Sequence, residues 1–132
     1  MAALVDSGSE HTLAAPLLAR AIGIEPDETR EFTIGIGGGP RLVRPARVTI
    51  ELFPELDSDD PPLTAWDTEV GFFTRWDPPW AVLLGQVGFF DRFTVTMSRL
   101  AQALSIEDKD KFDERFGRIY RARNGKMPRF QP

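Results

Sequence analysis

A chain of 132 residues with 42% hydrophobic residues is long enough for one packed domain and ordinary enough in composition to disfavour disorder. Its net charge of −4 argues against general nucleic-acid binding, because phosphate contacts need a basic field. With no cysteine and a single histidine (His11), a disulfide framework, a thiol nucleophile, Cys-ligated zinc and a multi-His metal site are all excluded.

Residues 2–5, Ala-Ala-Leu-Val, read as a short buried strand running into the turn Asp6-Ser7-Gly8. Pro16 to Ile22 reads as a helix, with Pro in its first turn and Gly23 at its C-terminal end. Glu31 to Ile36 alternates as a strand, Gly35 to Pro40 is a glycine-dense turn, and Leu42 to Phe53 alternates again. Val48, Ile50 and Leu52 fall on one face and Thr49 and Glu51 on the other, so the two runs form a long hairpin. Pro45 inside the second run predicts an edge strand. Pro54 to Pro62 is an acidic, proline-bearing loop, and Leu63 to Phe73 is a further strand. Arg75 to Trp80 is a turn before the apolar strand Ala81-Val82-Leu83-Leu84, which stops at Gly85. Val87 to Asp91 is expected as a short helix and Phe93 to Met97 as a strand. Beyond Ser105, Phe112, Phe116, Ile119 and Tyr120 recur at helical spacing, and Ser105 with Asp108 has the form of a capping box. An amphipathic helix is predicted over 105–123 and a loose basic tail over 124–132. No run reaches the roughly 18 apolar residues that span a bilayer. The apolar start has no basic leader region, so a cytoplasmic protein is the expectation.

The chemistry concentrates at Asp6. An apolar strand ending in a carboxylate, a small hydroxyl residue and Gly presents one acid on a tight turn, and Ser9 keeps the next position small. The triplet alone is a weak signal, since Asp and Gly are common in turns. The second apolar-Gly element, Leu84-Gly85, strengthens it by implying paired buried strands that cross near the carboxylate.

Competing sites read less well. Gly35-Ile36-Gly37-Gly38-Gly39-Pro40 is not a nucleotide loop: Pro stands where the last Gly of G-x-G-x-x-G belongs, and a strand follows. His11 lies close to Asp6 and Ser9 in sequence, whereas triad members come from separate segments, so it reads as a surface or helix-leading residue. Asp57, Asp59 and Asp60 lack the spacing of a calcium loop and read as solvated. Trp66, Trp76 and Trp80 read as core or loop anchors before cleft-lining residues.

Leu4-Val5-Asp6-Ser7-Gly8-Ser9, with a helix ending Ile22-Gly23-Ile24, resembles the first half of a retropepsin-like aspartic protease of the bacterial single-domain type. The tip Gly35-Ile36-Gly37-Gly38-Gly39 resembles that family's flap. Val82-Leu83-Leu84-Gly85, then Phe89-Phe90-Asp91-Arg92-Phe93 and Thr94-Val95-Thr96, is similar to its closing strand, helix and strand. Order and spacing agree over residues 2–97. The family has one or two strands before its Asp strand, so this chain reads as N-terminally short, and its tail after residue 100 has no counterpart there.

The resemblance implies an all-β, acid-protease-like closed β-barrel half over 1–100, with one or two short helices, followed by a charged helix and tail over 101–132. It implies an endopeptidase in which two Asp6 carboxylates, one from each chain of a homodimer, share a proton and activate a water. Ser7 takes the place of the hydroxyl that links the two active loops, Gly8 allows close backbone approach, and Ser9 completes the loop. Gly35, Ile36, Gly37, Gly38 and Gly39 would close over an extended peptide, and Leu84 and Gly85 would form a second loop beside the acid. The expected partner is a polypeptide, with no cofactor, metal, nucleic acid or membrane. A second reading is a catalytically inactive peptide- or partner-binding module, truncated at its N-terminus.

Overall fold

The computed structural model describes residues 3–53 and 59–114 and is mainly β, as expected. Its contacts divide the chain into two compact units, 1–89 and 90–132.

The first unit is a curled six-stranded sheet built from β1 (Ala3–Val5), β2 (Leu13–Ala14), β3 (Phe32–Ile36), β4 (Gly39–Leu52), β5 (Thr64–Phe73) and β6 (Val82–Leu84). The spatial order is β1-β6-β2-β5-β4-β3. β6 therefore enters between the two strands that flank the Asp6 turn, parallel to β1 (Leu4 opposite Leu83) and antiparallel to β2 (Leu13 opposite Leu83). β2 had no sequence signature, because two residues are too few to show a period. It nevertheless joins β6 to β5 through parallel pairing, with Leu13 opposite Gly71.

Helix α1 (Pro16–Ala21) starts with Pro at its first position and closes in a Schellman arrangement, in which Ile24 N–H donates to Ala19 O (2.9 Å) and Gly23 N–H to Arg20 O (3.3 Å). A single 3₁₀ turn, Glu28–Arg30, leads into β3. The β3–β4 hairpin closes through Gly37 and Gly38, whose φ values of +62° and +83° make a two-residue type I′ turn between the paired Ile36 and Gly39.

β4 and β5 pair over ten residues, from Val43–Phe73 to Leu52–Thr64, and bury opposite faces at their two ends. Near the tip, Val43 and Phe73 join Leu13 and Leu83 in one apolar cluster, with Phe32, Ile34, Ile36, Trp76 and Trp80 against it. Farther along, Ala46, Val48 and Ile50 pack on a second cluster of Ala14, Ala19, Val70 and Phe72. The edge position expected for Pro45 is corrected, since β4 lies between β3 and β5. β3 pairs only as far as Val43, however, and Pro45 O accepts from Asp27 N–H (2.8 Å). The proline nitrogen points the same way as its carbonyl, to the side where no strand runs, so no ladder bond is lost there.

In the second unit, β7 (Phe93–Ser98) and β8 (Ala103–Asp108) form an antiparallel hairpin with Val95 opposite Ile106, followed by α2 (Lys109–Phe112). Two expected helices are corrected. Residues 105–108 are strand, and the helix starts at Lys109, where the Asp108 carboxylate caps it by accepting from Lys111 N–H (2.9 Å). In place of the expected helix over 87–91, Val87 forms a parallel bridge with His11 and 88–91 are turns, the backbone groups of 86–88 being drawn to neighbouring segments. The rest of the predicted C-terminal helix, with Phe116, Ile119 and Tyr120, and the tail 124–132 lie outside the described residues, as does Asp57.

Candidate active site

β1 ends at Val5, and Asp6 N–H continues the ladder by donating to Leu84 O (3.0 Å). The Asp6 side chain is half-buried, and its Oδ1 accepts from Gly8 N–H (2.9 Å) in an Asx turn. Ser9 N–H donates to Asp6 O (3.2 Å), closing the loop on itself. The carboxylate thus stands at the C-terminal end of a paired strand, aimed by its own backbone.

The segment after the turn is stitched to the segment after β6. Gln86 N–H donates to Ser9 O (2.8 Å), Val87 N–H to Glu10 O (2.9 Å) and Thr12 N–H to Val87 O (3.2 Å). The Thr12 hydroxyl accepts from Gly85 N–H (3.1 Å) and donates to Val87 O (2.8 Å), while Gln86 Nε2 donates to Ser7 O (2.7 Å). Gly85 is where the two segments cross. A Cβ there would collide with the His11 carbonyl and stand 2.8 Å from Ser9 O, so no other residue fits without moving backbone. Leu84 and Gly85, singled out from sequence, therefore lie directly against the Asp6 loop. Ser7 and Gly8 are exposed and Ser9 is half-buried, its hydroxyl donating to His11 O (2.7 Å). That bond goes to the His11 backbone and not to the imidazole, so Ser9 and His11 are not arranged as nucleophile and base.

A groove of about 470 Å³ opens beside the turn, lined by Asp6, Gly8, Ser9 and His11 on one side and by β3 on the other. Five consecutive β3 residues, Phe32 to Ile36, border it. Successive side chains on a strand point to opposite faces, so a border of consecutive residues is the strand's open backbone edge. β3 is the last strand on that side of the sheet, and its outer row of N–H and C=O groups is available to an extended chain. Gly35 and Ile36 carry the groove to the hairpin tip. Of the residues singled out from sequence, Asp6, Gly8, Ser9, Gly35 and Ile36 line the groove, whereas Ser7, Gly37, Gly38, Gly39, Leu84 and Gly85 do not; Leu84 and Gly85 lie behind the Asp6 loop.

Thr12, Gln86 and His11 were not assigned to the site by sequence reasoning. His11 is half-buried in the groove wall, its ring 5.1 Å from that of Phe32. Nothing in the spacing of Thr12 or Gln86 marks them, because their partners lie more than seventy residues away. The tryptophans serve as anchors, as expected: Trp66 is buried and donates to Gly88 O (2.7 Å), and Trp76 and Trp80 pack on the first cluster.

The far end of the hairpin is tied by charge. Arg30 forks onto Glu69 (2.7 and 2.9 Å), which holds the Glu69 carboxyl below its usual range and raises the guanidinium. Arg44 reaches Glu31 (2.7 Å) and Glu28 (3.0 Å) and is raised, chiefly by the Glu31 bond. Asp27 is lowered by the Thr29 hydroxyl (2.6 Å) and then by its N–H (2.9 Å). Among the described residues no group of three or more His, Asp or Glu could hold a metal, and no helix is long and apolar enough to cross a membrane. No protein-family model, curated protein or solved structure matches the chain.

Proposed function

We propose that the chain is an aspartic endopeptidase of the retropepsin-like kind, active as a homodimer in which each copy supplies Asp6. The observation that carries this reading is the half-buried Asp6 carboxylate, held on a stitched turn in the wall of a groove whose opposite wall is an open strand edge. An extended peptide laid in that groove gains backbone hydrogen bonds from β3, the recognition mode of an added strand.

Two carboxylates brought close by the two-fold axis of a dimer cannot both ionise readily, so the pair holds one proton and titrates as a unit. The ionised Asp6 takes a proton from a water, whose oxygen bonds to the scissile carbonyl carbon. The protonated Asp6 hydrogen-bonds the carbonyl oxygen as charge grows there. Collapse of the tetrahedral intermediate breaks the C–N bond, and the leaving nitrogen takes up a proton from the dyad. Ser7, exposed at the turn, is available to bond across the axis. A chain without cysteine needs no oxidising compartment, and the reading places it in the cytoplasm.

Asp6→Asn keeps an oxygen for the Gly8 N–H and so preserves the turn while removing the acid. It is expected to abolish cleavage of a peptide library, by roughly a thousandfold or more, with unchanged circular dichroism. Cleavage that survives the change, or a strictly monomeric wild type by light scattering, overturns the proposal. The open edge of β3 also supports a second reading, peptide binding without chemistry. On that reading wild type and Asp6→Asn bind peptides alike and neither cleaves them.

A further inference from the structure

The tip of the β3–β4 hairpin carries glycine at 37, 38 and 39, and two side chains, Trp76 and Arg41, meet it at Gly37. The backbone of Gly37 rests on the indole of Trp76: a Cβ built on Gly37 would stand 2.6 Å from Trp76 Cζ2 and 3.1 Å from Cη2. At Gly35, Gly38 and Gly39 a Cβ would meet nothing within 4 Å. Arg41, on the returning strand, lays its guanidinium 4.9 Å from the centroid of the same indole, and its Nη2 donates to Gly37 O at 3.4 Å. Trp76 is itself seated edge-on against Phe73 of β5, with centroids 4.8 Å apart and planes at 85°. Phe73 is buried in the cluster that includes Leu13 of β2, the strand that follows the Asp6 turn. The tip is thereby linked to the Asp6 loop through rings and strands.

The attachment is also incompletely satisfied. Arg41 Nε is buried with no hydrogen-bond partner, and the Nη2 bond to Gly37 is long. A guanidinium held by a ring face and one long bond can let go without breaking a strong contact.

We infer that Trp76 and Arg41 are positioning residues that clamp the hairpin tip beside the Asp6 groove, and that a peptide is admitted when Gly37 lifts off the Trp76 ring. The consequence for peptide admission rests on the endopeptidase reading of the groove; the clamp itself does not.

The test separates the two. Gly37 Hα lies against the indole ring, so in the wild-type NMR spectrum it carries a ring-current shift. Trp76→Leu is expected to remove that shift and to speed amide exchange at Gly39, the last paired residue of the turn, by about five- to tenfold. Gly38→Asn, which tolerates a positive φ and meets nothing, is expected to leave the shift in place, as is Asp6→Asn; Gly37→Asn is expected to abolish it. Should Trp76→Leu fail to fold, Arg41→Met removes the cation while keeping the stem, and is expected to move both readouts in the same direction by a smaller amount. A Gly37 shift unchanged in the folded Trp76 or Arg41 variant overturns the clamp. For admission, peptide association is measured by stopped flow on the Asp6→Asn background, where no turnover intervenes. Adding Trp76→Leu, or Arg41→Met in its place, is expected to raise the association rate about fivefold, and an unchanged rate overturns the gating role. A chain that shows the shifts but neither binds nor cleaves peptide refutes the endopeptidase reading and gating together, and leaves the clamp standing.

Discussion

The two walls of the groove are held by different kinds of force. The Asp6 loop is fixed by backbone hydrogen bonds to residues 84–87, by the Thr12 hydroxyl and by a crossing at Gly85 that admits no Cβ. The hairpin opposite is held along β4 by its ladder with β5 and through Phe32, Ile34 and Ile36 on the first cluster, with exposed ion pairs at its root. Its tip lies beyond that ladder and rests on one indole and one guanidinium. Directional bonds between two backbones fix geometry and fail together, whereas a ring contact against glycine is non-directional and can be released alone. On the endopeptidase reading, Asp6 as a catalytic acid would need the first kind of support, and the hairpin as a moving cover the second.

Breaking the rigid wall is expected to have the largest effect. Gly85→Ala forces a methyl into the His11 and Ser9 carbonyls, and is expected to destabilise the fold by about 3 kcal/mol or more in denaturant titration. A loss under about 1 kcal/mol would mean that the crossing is loose and the contrast between the walls is overstated. The Trp76 variants belong in the middle of the scale, because they free a tip and leave the buried clusters in place. Smallest are the ion pairs at the hairpin root, since exposed pairs contribute little. Their pH signature still has a definite sign. Glu69 and Asp27 bind their protons less tightly in the folded chain, so the stability they lend is complete above the ordinary carboxylate range. It is lost as pH falls through their lowered folded values. Arg30 and Arg44 are raised, so their share is present below the ordinary arginine range and is lost only above it. Glu69→Gln should remove a small contribution at neutral pH, leave stability below the carboxylate range unchanged and so flatten the acid limb; an unaltered limb would show that Glu69 lends no stability.

Much of the site was legible because its signals are local. A strand ending in Asp-Ser-Gly, a Gly-Gly turn between alternating runs, and an apolar triplet stopping at Gly each carry their own mark and fell where expected. The first strand, read as buried, is nevertheless exposed at Ala3 and Leu4, because it pairs on one side only, with β6. The parts that were missed depend on distant partners. β2 is two residues long and is defined by pairing with β6 and β5, so no period announces it. Pro45 lies in an interior strand because β3 ends beside it, a fact of register and not of composition. In 103–108, Leu104 and Ile106 alternate with Ala103, Ser105 and Glu107, a period of two that the helical stripe from Phe112 onward masked. The cap was of the right kind but sits at Asp108, three residues beyond Ser105. Gly37 as a seat for Trp76 could not be read at all, because glycine spacing says nothing about which ring will meet it.

On the endopeptidase reading each chain supplies one half of a catalytic pair, and mixing two kinds of chain shows whether it does. Wild type is held at fixed concentration while unfolded-and-refolded Asp6→Asn chain is added and the two are refolded together. If Asp6 acts in pairs across a two-fold axis, mixed dimers are inactive, and an equal amount of Asp6→Asn leaves about half of the original activity, falling further with excess. Activity that stays constant as Asp6→Asn is added would show that each chain works alone and that Asp6 has no partner across an axis.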